Sequence, residues 1–315
     1  MAPKRIRLSG KYRLITRSDF DGLACGMLLQ EAGLVDVILF AHPKDVQDGT
    51  IDVDSRDIIA GLPFVPGCEI CFDVRNNENI NSDLIESGHF VCDTRQGSVA
   101  RLLYTWLGGR LAFPRLEAAM LTAVDKFHAA QYTIPEILEP TSWVLLGFLM
   151  DARTGLGRFK EFRLSNYQLM MELIPYCRHH RIAEILQHPD VAERIQVYQD
   201  HAHRCREQIL RCTRVEGCVG ILDLRHEDTI WAGNRFLIYA LFPQITVSIH
   251  AIWGLRRQNT VFAVGRSIVN NKSQQDIGEI LSKYNGGGQP AAGSCQVPHP
   301  DSDRVLSEIV AALNR

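Results

Sequence analysis

Two aspartates separated by one residue give the strongest chemical signal in this chain of 315 residues. In "TRSDFDGLACG", Asp19 and Asp21 follow an apolar stretch, and Gly22 begins a segment with helical spacing. Side chains at positions i and i+2 of an extended segment face the same way, so both carboxylates are expected to converge on one cation. The helix start beside them favours an anion such as phosphate. An aspartate here is also a common helix N-cap, and both interpretations stay open.

Two further aspartates follow apolar runs elsewhere in the chain. Asp73 ends "CEICFD", and Asp125 follows "AAMLTAV". Carboxylates gathered at one place repel each other unless cations or basic side chains balance their charge. Metal ions bridged by aspartates, which hold a phosphate and activate water, are the simplest chemistry that needs such a cluster. We therefore predict four catalytic carboxylates: Asp19, Asp21, Asp73 and Asp125.

The elements that must position these residues alternate between strands and helices. From Tyr12 to about Arg153, short segments rich in β-branched residues, such as "YRLIT" and "VDVILFA", are separated by helical stretches such as "GLACGMLLQEAG". This alternation predicts an α/β fold with a doubly wound, mainly parallel sheet whose working edge lies at the carboxyl ends of the strands. Asp19, Asp21 and Asp73 are expected to meet at that edge.

The rest of the chain divides into a helical stretch and a second α/β segment. An apolar stripe from Val191 to Cys212 predicts one long helix, which suits a linker or a contact with a second subunit. After it, "CVGILDL", "TIWAG", "ITVSIHAIWGL" and "TVFAVGRSI" are strand candidates. We predict a first domain at 1–154, a helical linker at 155–215 and a smaller α/β domain at 216–315.

Composition excludes several classes of protein. The net charge of −2 does not suit a strongly basic nucleic-acid binder. The chain has no apolar run of membrane-spanning length, and its basic start lacks an apolar signal core, so we predict a cytoplasmic protein. Nine scattered cysteines indicate reduced thiols, and Cys68 and Cys71 are interpreted as core residues rather than as a zinc or redox pair.

A glycine run near the end of the chain is a second candidate for phosphate contact. In "GGGQPAAG", backbone amides without side chains can approach a phosphate or a nucleotide closely. Basic residues precede the run, Arg266 among them, and can add positive charge locally. A glycine-rich turn at a helix end is also common for purely structural reasons.

Taken together, these motifs resemble the DHH phosphoesterase superfamily with its C-terminal DHH-associated domain, in its exopolyphosphatase-like branch. "TRSDFDG" looks like the first motif, "HPKDVQDG" and "WVLLGFLMDARTGLGRF" look like stretches of that branch, and "GGGQPAAG" resembles the C-terminal glycine signature. The resemblance covers nearly the whole chain. It implies a Rossmann-like first domain, a linker helix, a smaller second domain, and a cleft between them that holds two Mn²⁺ ions.

Carried over by position, the resemblance assigns roles to individual residues. Asp19, Asp21 and Asp125 match metal ligands, for Mn²⁺ or Mg²⁺ if the protein is active, and Asp57 is a weaker candidate. Asp73 matches the first letter of the DHH motif. The predicted phosphate-binding residues are Arg17, Arg75, Arg266, Gly286, Gly287, Gly288 and Gln289.

The sequence departs from the family pattern at three places. Val74 and Arg75 replace the two histidines of the DHH motif, Gly61 stands where an aspartate ends the preceding strand, and Gln289 replaces the histidine of the glycine signature. Valine has no lone pair for a metal, whereas arginine carries a permanent charge that suits phosphate. These changes predict a protein that binds a phosphate-containing ligand with weak or lost hydrolysis and no required metal.

Two alternatives stay open. One is an active phosphoesterase with a reduced metal site, in which Arg75 stabilises the developing charge. The other is a scaffold that forms oligomers. The expected ligand is a nucleotide, a short oligonucleotide or polyphosphate, with homo-oligomers as a further expectation.

Overall fold

The structure, a computed structural model, describes residues 6, 8–75, 82–159 and 162–315. Within this part of the chain the strands are β1 (Tyr12–Thr16), β2 (Val35–Phe40), β3 (Asp57–Ala60), β4 (Ile70–Asp73), β5 (Phe90–Cys92), β6 (Thr213–Glu216), β7 (Val219–Asp223), β8 (Val247–Trp253), β9 (Thr260–Arg266), β10 (Gly287–Gln289) and β11 (Ala292–Val297). The helices are α1 (Phe20–Glu31), α2 (Pro43–Gln47), α3 (Ser82–Ser87), α4 (Val99–Trp106), α5 (Ala118–Ala129), α6 (Ile134–Leu138), α7 (Ser142–Met150), α8 (Asn166–Cys177), α9 (Ile182–Ile185), α10 (Pro189–Cys212), α11 (Leu237–Leu241), α12 (Ile277–Ser282) and α13 (Ser302–Leu313).

The chain forms two compact units. The first comprises the described residues up to Gln131, together with Thr141–Ala152 and Leu156–Gln196. The second comprises Tyr132–Pro140, Arg153–Gly155 and Val197–Arg315. Helix α10 contributes residues to both units, and it is the long helix that the apolar stripe predicts. The domain boundaries at 154 and 215 stay a prediction, as does the cleft.

The first unit is built on a parallel five-stranded sheet with the order β2-β1-β3-β4-β5. The chain starts in the middle and winds outward in both directions, so the strand order reverses beside β1. Strands β3 and β4 are buried along their whole length, which explains their continuous apolar sequences. This sheet confirms the predicted doubly wound α/β fold, and its carboxyl edge at the reversal is where ligands bind in such folds.

Helix α1 shows why a glycine must follow the two aspartates. Asp19 is its N-cap, and a Cβ at Gly22 would lie 1.9 Å from the backbone oxygen of Arg17. The helix is buried from Phe20 to Leu29, and the chain leaves it through Gly33 at a φ of +71°. The first helical turn therefore sits hard against the end of β1, and both aspartates lie at the sheet edge.

The second unit contains a mixed sheet with the order β10-β11-β9-β8-β7-β6, in which only β7 and β8 pair in parallel. Helices α12 and α13 bury their apolar residues in its core. The strand predicted at "TIWAG" is wrong. The amides of Trp231 and Ala232 are bonded to the side chains of Gln208 and His201, so this segment does not need a neighbouring strand.

The burial of the cysteines tests the interpretation of Cys68 and Cys71 as core residues. None of the nine cysteines, all of which lie in the described part of the chain, forms a disulfide, and burial raises the pKa of Cys68 to about 11, so its thiol stays protonated near neutral pH. This agrees with the interpretation of Cys68 and Cys71 as core residues.

Among the described helices, none combines the length and apolar character that crossing a bilayer requires.

Candidate active site

Asp19 joins the end of β1 to helix α1. Its Oδ1 atom accepts a hydrogen bond from the Gly22 amide at 3.0 Å, and its Oδ2 atom accepts one from Arg17 Nε at 2.8 Å. Burial lowers the pKa of Arg17, but the charge of Asp19 and the hydrogen bond to it, with the charges of Asp21 and Asp151, outweigh burial and raise it. Asp19 is therefore a cap and an ion-pair partner at once.

Asp21 faces a different set of partners, deep in the first unit. Its two oxygens accept hydrogen bonds from the amides of Val99 at 3.2 Å and Ala100 at 2.9 Å, at the start of helix α4. The same carboxylate lies 2.9 Å from Nδ1 of His128 on helix α5. Burial lowers the pKa of His128, but the hydrogen bond and charge of Asp21 outweigh it, so the pKa is raised.

Convergence of Asp19 and Asp21 on one cation stays a prediction. Helix α1 begins at Phe20, so Asp21 is helical rather than extended. Asp19 remains in extended conformation as the N-cap, and the two carboxylates have separate hydrogen-bond partners.

Asp73, at the end of β4, is held by the residues that follow it. Its Oδ1 atom accepts hydrogen bonds from the amides of Val74 at 2.8 Å and Arg75 at 3.1 Å. The Arg75 guanidinium pairs with the same carboxylate at 3.1 Å and also donates to the Gly61 carbonyl at 3.1 Å. Val74 is buried, whereas the Arg75 side chain is 39% exposed. Arg75 thus places a charge between the ends of β3 and β4, as the sequence indicated.

Asp125 lies on helix α5 rather than at a strand end. It accepts hydrogen bonds from Ser98 Oγ at 2.6 Å and from Arg101 at 2.6 and 2.9 Å. A Cβ at Gly97 would lie 2.6 Å from Asp125 Cγ, so the glycine is needed for this close approach. Asp125 therefore ties helix α5 to the beginning of α4, whose amides bind Asp21.

A small cavity opens beside Asp19 and Asp21. Its volume is about 10 Å³, roughly the space for one water molecule. Asp19, Asp21, Arg17 and Gly61 are among its lining residues. The structure therefore brings Arg17 and the two first-motif aspartates around one opening at the carboxyl edge of the sheet.

Asp57 is not part of this group. It lies at the amino end of β3, at the opposite edge of the sheet, where it is buried and pairs with Arg13 at 2.7 Å. Its Oδ2 atom also accepts a hydrogen bond from the Asp54 amide. These contacts give Asp57 a structural role in fixing the start of the strand.

The glycine run of the second unit forms a β-hairpin. Strand β10 contains Gly287, Gly288 and Gln289, which pair with Ser294, Gly293 and Ala292 of β11. A Cβ at Gly288 would lie 2.3 Å from the Ala292 oxygen, and one at Gly286 would lie 2.5 Å from Cys295 Cβ. Arg266 donates to the backbone oxygens of Gln274 and Gln275. Phosphate binding by these residues stays a prediction.

A divalent cation of the Mn²⁺ or Mg²⁺ type needs several oxygen or nitrogen ligands that face one point. Asp19, Asp21 and Asp125 have suitable atoms, but their oxygens bind amides, hydroxyl, arginine or histidine groups. In the described part of the chain, the one group of three such ligand atoms within 4.8 Å of one another is Glu172, His188 and Asp190, where Asp190 pairs with Arg163. Metal binding by Asp19, Asp21 and Asp125 stays a prediction.

Sequence reasoning missed His128, Ser98, Arg101 and Asp151. His128 follows Asp125 by three positions in helix α5, and that spacing places both side chains on one helix face. Asp151 ends the apolar helix α7 and is buried, and its charge acts on Arg17. The helical spacing could have indicated His128, whereas its pairing with Asp21 could not be read from the chain.

Comparison with known proteins decides the family. A solved structure described as PggH, a pGpG-specific phosphodiesterase from Vibrio cholerae, is 48% identical over 96% of this chain and 99% of that chain, with a TM-score of 0.82. The chain belongs to the DHH phosphoesterase superfamily. This confirms the resemblance inferred from the motifs.

More distant DHH-type structures share the fold. An exopolyphosphatase-related protein from Bacteroides fragilis is 10% identical over 96% of this chain and 92% of that chain, with a TM-score of 0.52. RecJ from Thermus thermophilus, in complex with Mn²⁺, is 15% identical over 96% of this chain and 51% of that chain, with a TM-score of 0.55. No family model matches the sequence, and no curated protein matches it.

Proposed function

We propose that this DHH protein is an active phosphodiesterase that hydrolyses pGpG or a closely related linear dinucleotide. The observation that carries the proposal is the 48% identity, over nearly the whole of both chains, to a protein described as a pGpG-specific phosphodiesterase. The sequence-based prediction of weak or lost hydrolysis gains no support from this relative. We therefore favour the active alternative over the binding protein and the scaffold.

The side chains at the sheet edge suit the chemistry of phosphodiester hydrolysis. Arg17 and Arg75 carry permanent charges, and guanidinium groups match phosphate oxygens in geometry. Their role in the proposal is to hold the scissile phosphate and to stabilise the charge that grows on its oxygens as water attacks phosphorus.

His128 has the properties of a proton donor to the leaving ribose oxygen. Asp21 accepts a hydrogen bond from Nδ1, which orients the ring and stabilises its charged form. The Nε2 atom has no hydrogen bond within the described chain, so it is the atom assigned to the substrate. Cleavage of the bond between phosphorus and the 3′ oxygen, with one water consumed, then yields two 5′ mononucleotides.

The proposal assigns no catalytic step to a metal ion. A requirement for Mn²⁺ or Mg²⁺ stays a prediction, as does cytoplasmic location. Turnover of pGpG with added Mn²⁺, with added Mg²⁺ and after chelation tests the metal requirement directly.

The purified protein tests the proposal through product analysis of pGpG by chromatography. We expect two GMP per pGpG, and we expect Arg75→Gln to lower kcat/KM about tenfold to hundredfold because one charged phosphate contact is lost. Lys44→Gln, on the exposed part of helix α2, is the matched charge control and should change little. Tight pGpG binding without turnover would return the protein to the class of phosphate binders.

A further inference from the structure

A second pocket in the first unit contains two arginines and an aromatic ring. It has a volume of about 270 Å³, close to the lower end of the range for small-ligand pockets, about 300 Å³. Its lining residues, called here the Arg110 pocket, are Arg101, Tyr104, Arg110, Pro114, Leu116, Ala118 and Leu121. This combination of positive charge, one ring and apolar side chains suits a ligand that is both anionic and aromatic.

The arginines of the Arg110 pocket have donors that the protein does not use. Arg110 is exposed and makes no hydrogen bond or ion pair to any part of the chain that the structure describes. Arg101 binds Asp125 through Nε and Nη2, and its Nη1 group has no partner in the same described part. Two guanidinium groups on one pocket match a terminal phosphate, which carries nearly two negative charges.

Tyr104 is fixed in place as a surface for a flat ligand. Its ring packs beside Phe113 with the centroids 5.8 Å apart, tilted by 32°. Gly109, at a φ of +62°, brings the backbone close to the ring, since a Cβ there would lie 3.7 Å from Tyr104 Cε1. A ring that is held on its other sides can receive a nucleobase with little loss of side-chain freedom.

The Arg110 pocket lies on the same helix as the amides that bind Asp21. Helix α4 begins with the amides that bind Asp21, and Arg101 and Tyr104 follow Val99 by about half a turn and about one and a half turns. Arg101 belongs to both places because it pairs with Asp125 and also lines the pocket. Arg101 therefore connects the pocket to the residues that hold the aspartate site together.

We propose that the Arg110 pocket binds the 5′-phosphorylated nucleotide of the substrate. The terminal phosphate contacts Arg110 and Arg101, the base lies against Tyr104, and the scissile bond is thereby directed toward the sheet edge. This inference rests on the proposed function, and it adds a reason for preferring a dinucleotide with a 5′ phosphate over one without it.

The test compares pGpG with GpG, which lacks the terminal phosphate. In Arg110→Ala we expect kcat/KM for pGpG to fall about tenfold to hundredfold, while kcat/KM for GpG changes less than about twofold. Arg115→Ala is the matched control, since Arg115 is exposed and does not line the pocket. An unchanged ratio of the two substrates in Arg110→Ala overturns the proposal.

Binding of GMP by calorimetry separates this proposal from the proposed function, because it needs no turnover. We expect Arg110→Ala and Tyr104→Ala each to weaken GMP binding about tenfold or more, and Tyr104→Phe to keep it. Equal GMP affinity in wild type and Arg110→Ala would contradict nucleotide binding by the Arg110 pocket, even if the protein hydrolyses pGpG. Retained GMP binding with no hydrolysis of pGpG supports the pocket and contradicts the proposed enzyme.

Discussion

The aspartate site of the first unit and the glycine hairpin of the second unit were both predicted to contact phosphate, and they are built in opposite ways. At the hairpin, neighbouring backbone explains Gly288 and Gly293, because a side chain at either position would collide with the paired strand. At the aspartate site, packing does not explain the charges. Asp19, Asp21, Asp73 and Asp125 each pair with a different base.

This difference separates two kinds of sequence motif. A glycine run is sufficiently explained by a tight hairpin, so its spacing alone is weak support for a ligand. Four acid–base pairs near one sheet edge carry a cost in folding free energy, because each buried or half-buried charge loses hydration. The aspartate site is therefore the stronger candidate for chemistry, and the following substitutions test that ranking.

Asp21→Ala should have the largest effect. It leaves two amides at the start of helix α4 without an acceptor and releases His128, so we expect kcat/KM for pGpG to fall about 10²- to 10³-fold. The free energy of unfolding should fall by about 1–3 kcal/mol per unpaired amide. Thermal unfolding and kinetics measure both. Asp36→Ala, at an exposed position of β2, is the control, and equal behaviour of the two variants would refute the ranking.

Gly97→Ala should come next and should act through Asp125. The new Cβ would lie 2.6 Å from Asp125 Cγ, which forces that side chain away from Arg101. We expect a loss of about 1–3 kcal/mol in the free energy of unfolding, together with reduced activity.

Gly287→Ala in the hairpin is the contrasting variant. No heavy atom lies within 4 Å of the added Cβ, so stability should change by less than about 0.5 kcal/mol. A folded Gly287→Ala protein that loses pGpG turnover would show that the hairpin takes part in binding and would raise its rank beside the aspartates.

His128→Gln should lower pGpG turnover, because His128 is the assigned proton donor, and its effect on the free energy of unfolding should depend on pH. The pKa of His128 is raised, so its charged form stabilises the fold below the unfolded value of about 6.5, and this contribution disappears as pH rises through the folded value. Unfolding measured from pH 5.5 to 9 should show a deficit on the order of 1 kcal/mol at the acid end that shrinks with rising pH. His203→Gln, whose side chain is 82% exposed, should show no comparable trend.

Local patterns in the sequence were sufficient for most of the fold. The bounds of β1 and the long helix α10 follow from runs of β-branched residues and from an apolar stripe, which are properties of neighbouring residues. The strand expected at "TIWAG" failed because its amides bind side chains more than twenty residues away. Which side chains accept these hydrogen bonds depends on tertiary structure, so a local sequence pattern cannot predict them.

In the site, too, contacts between sequence neighbours were predictable and contacts between distant residues were not. Asp73 and Arg75 are neighbours in sequence, and their ion pair agrees with the charge balance expected from the motif. Asp21 and His128 are far apart, and their pairing became visible only in three dimensions. Asp19 and Asp21 are neighbours in sequence as well, and both line one small cavity, as expected for side chains at the same sheet edge.

The hydrogen bonds of Asp21 also have a consequence for folding kinetics. Its three partners follow it by 78, 79 and 107 residues. Each contact therefore closes a long loop, and the chain loses conformational entropy before the hydrogen bond forms. Contacts of such separation slow folding, and they lie at the very carboxylate that the proposed chemistry uses. In this protein, the contacts that the proposed chemistry needs are therefore also contacts that are expected to slow folding.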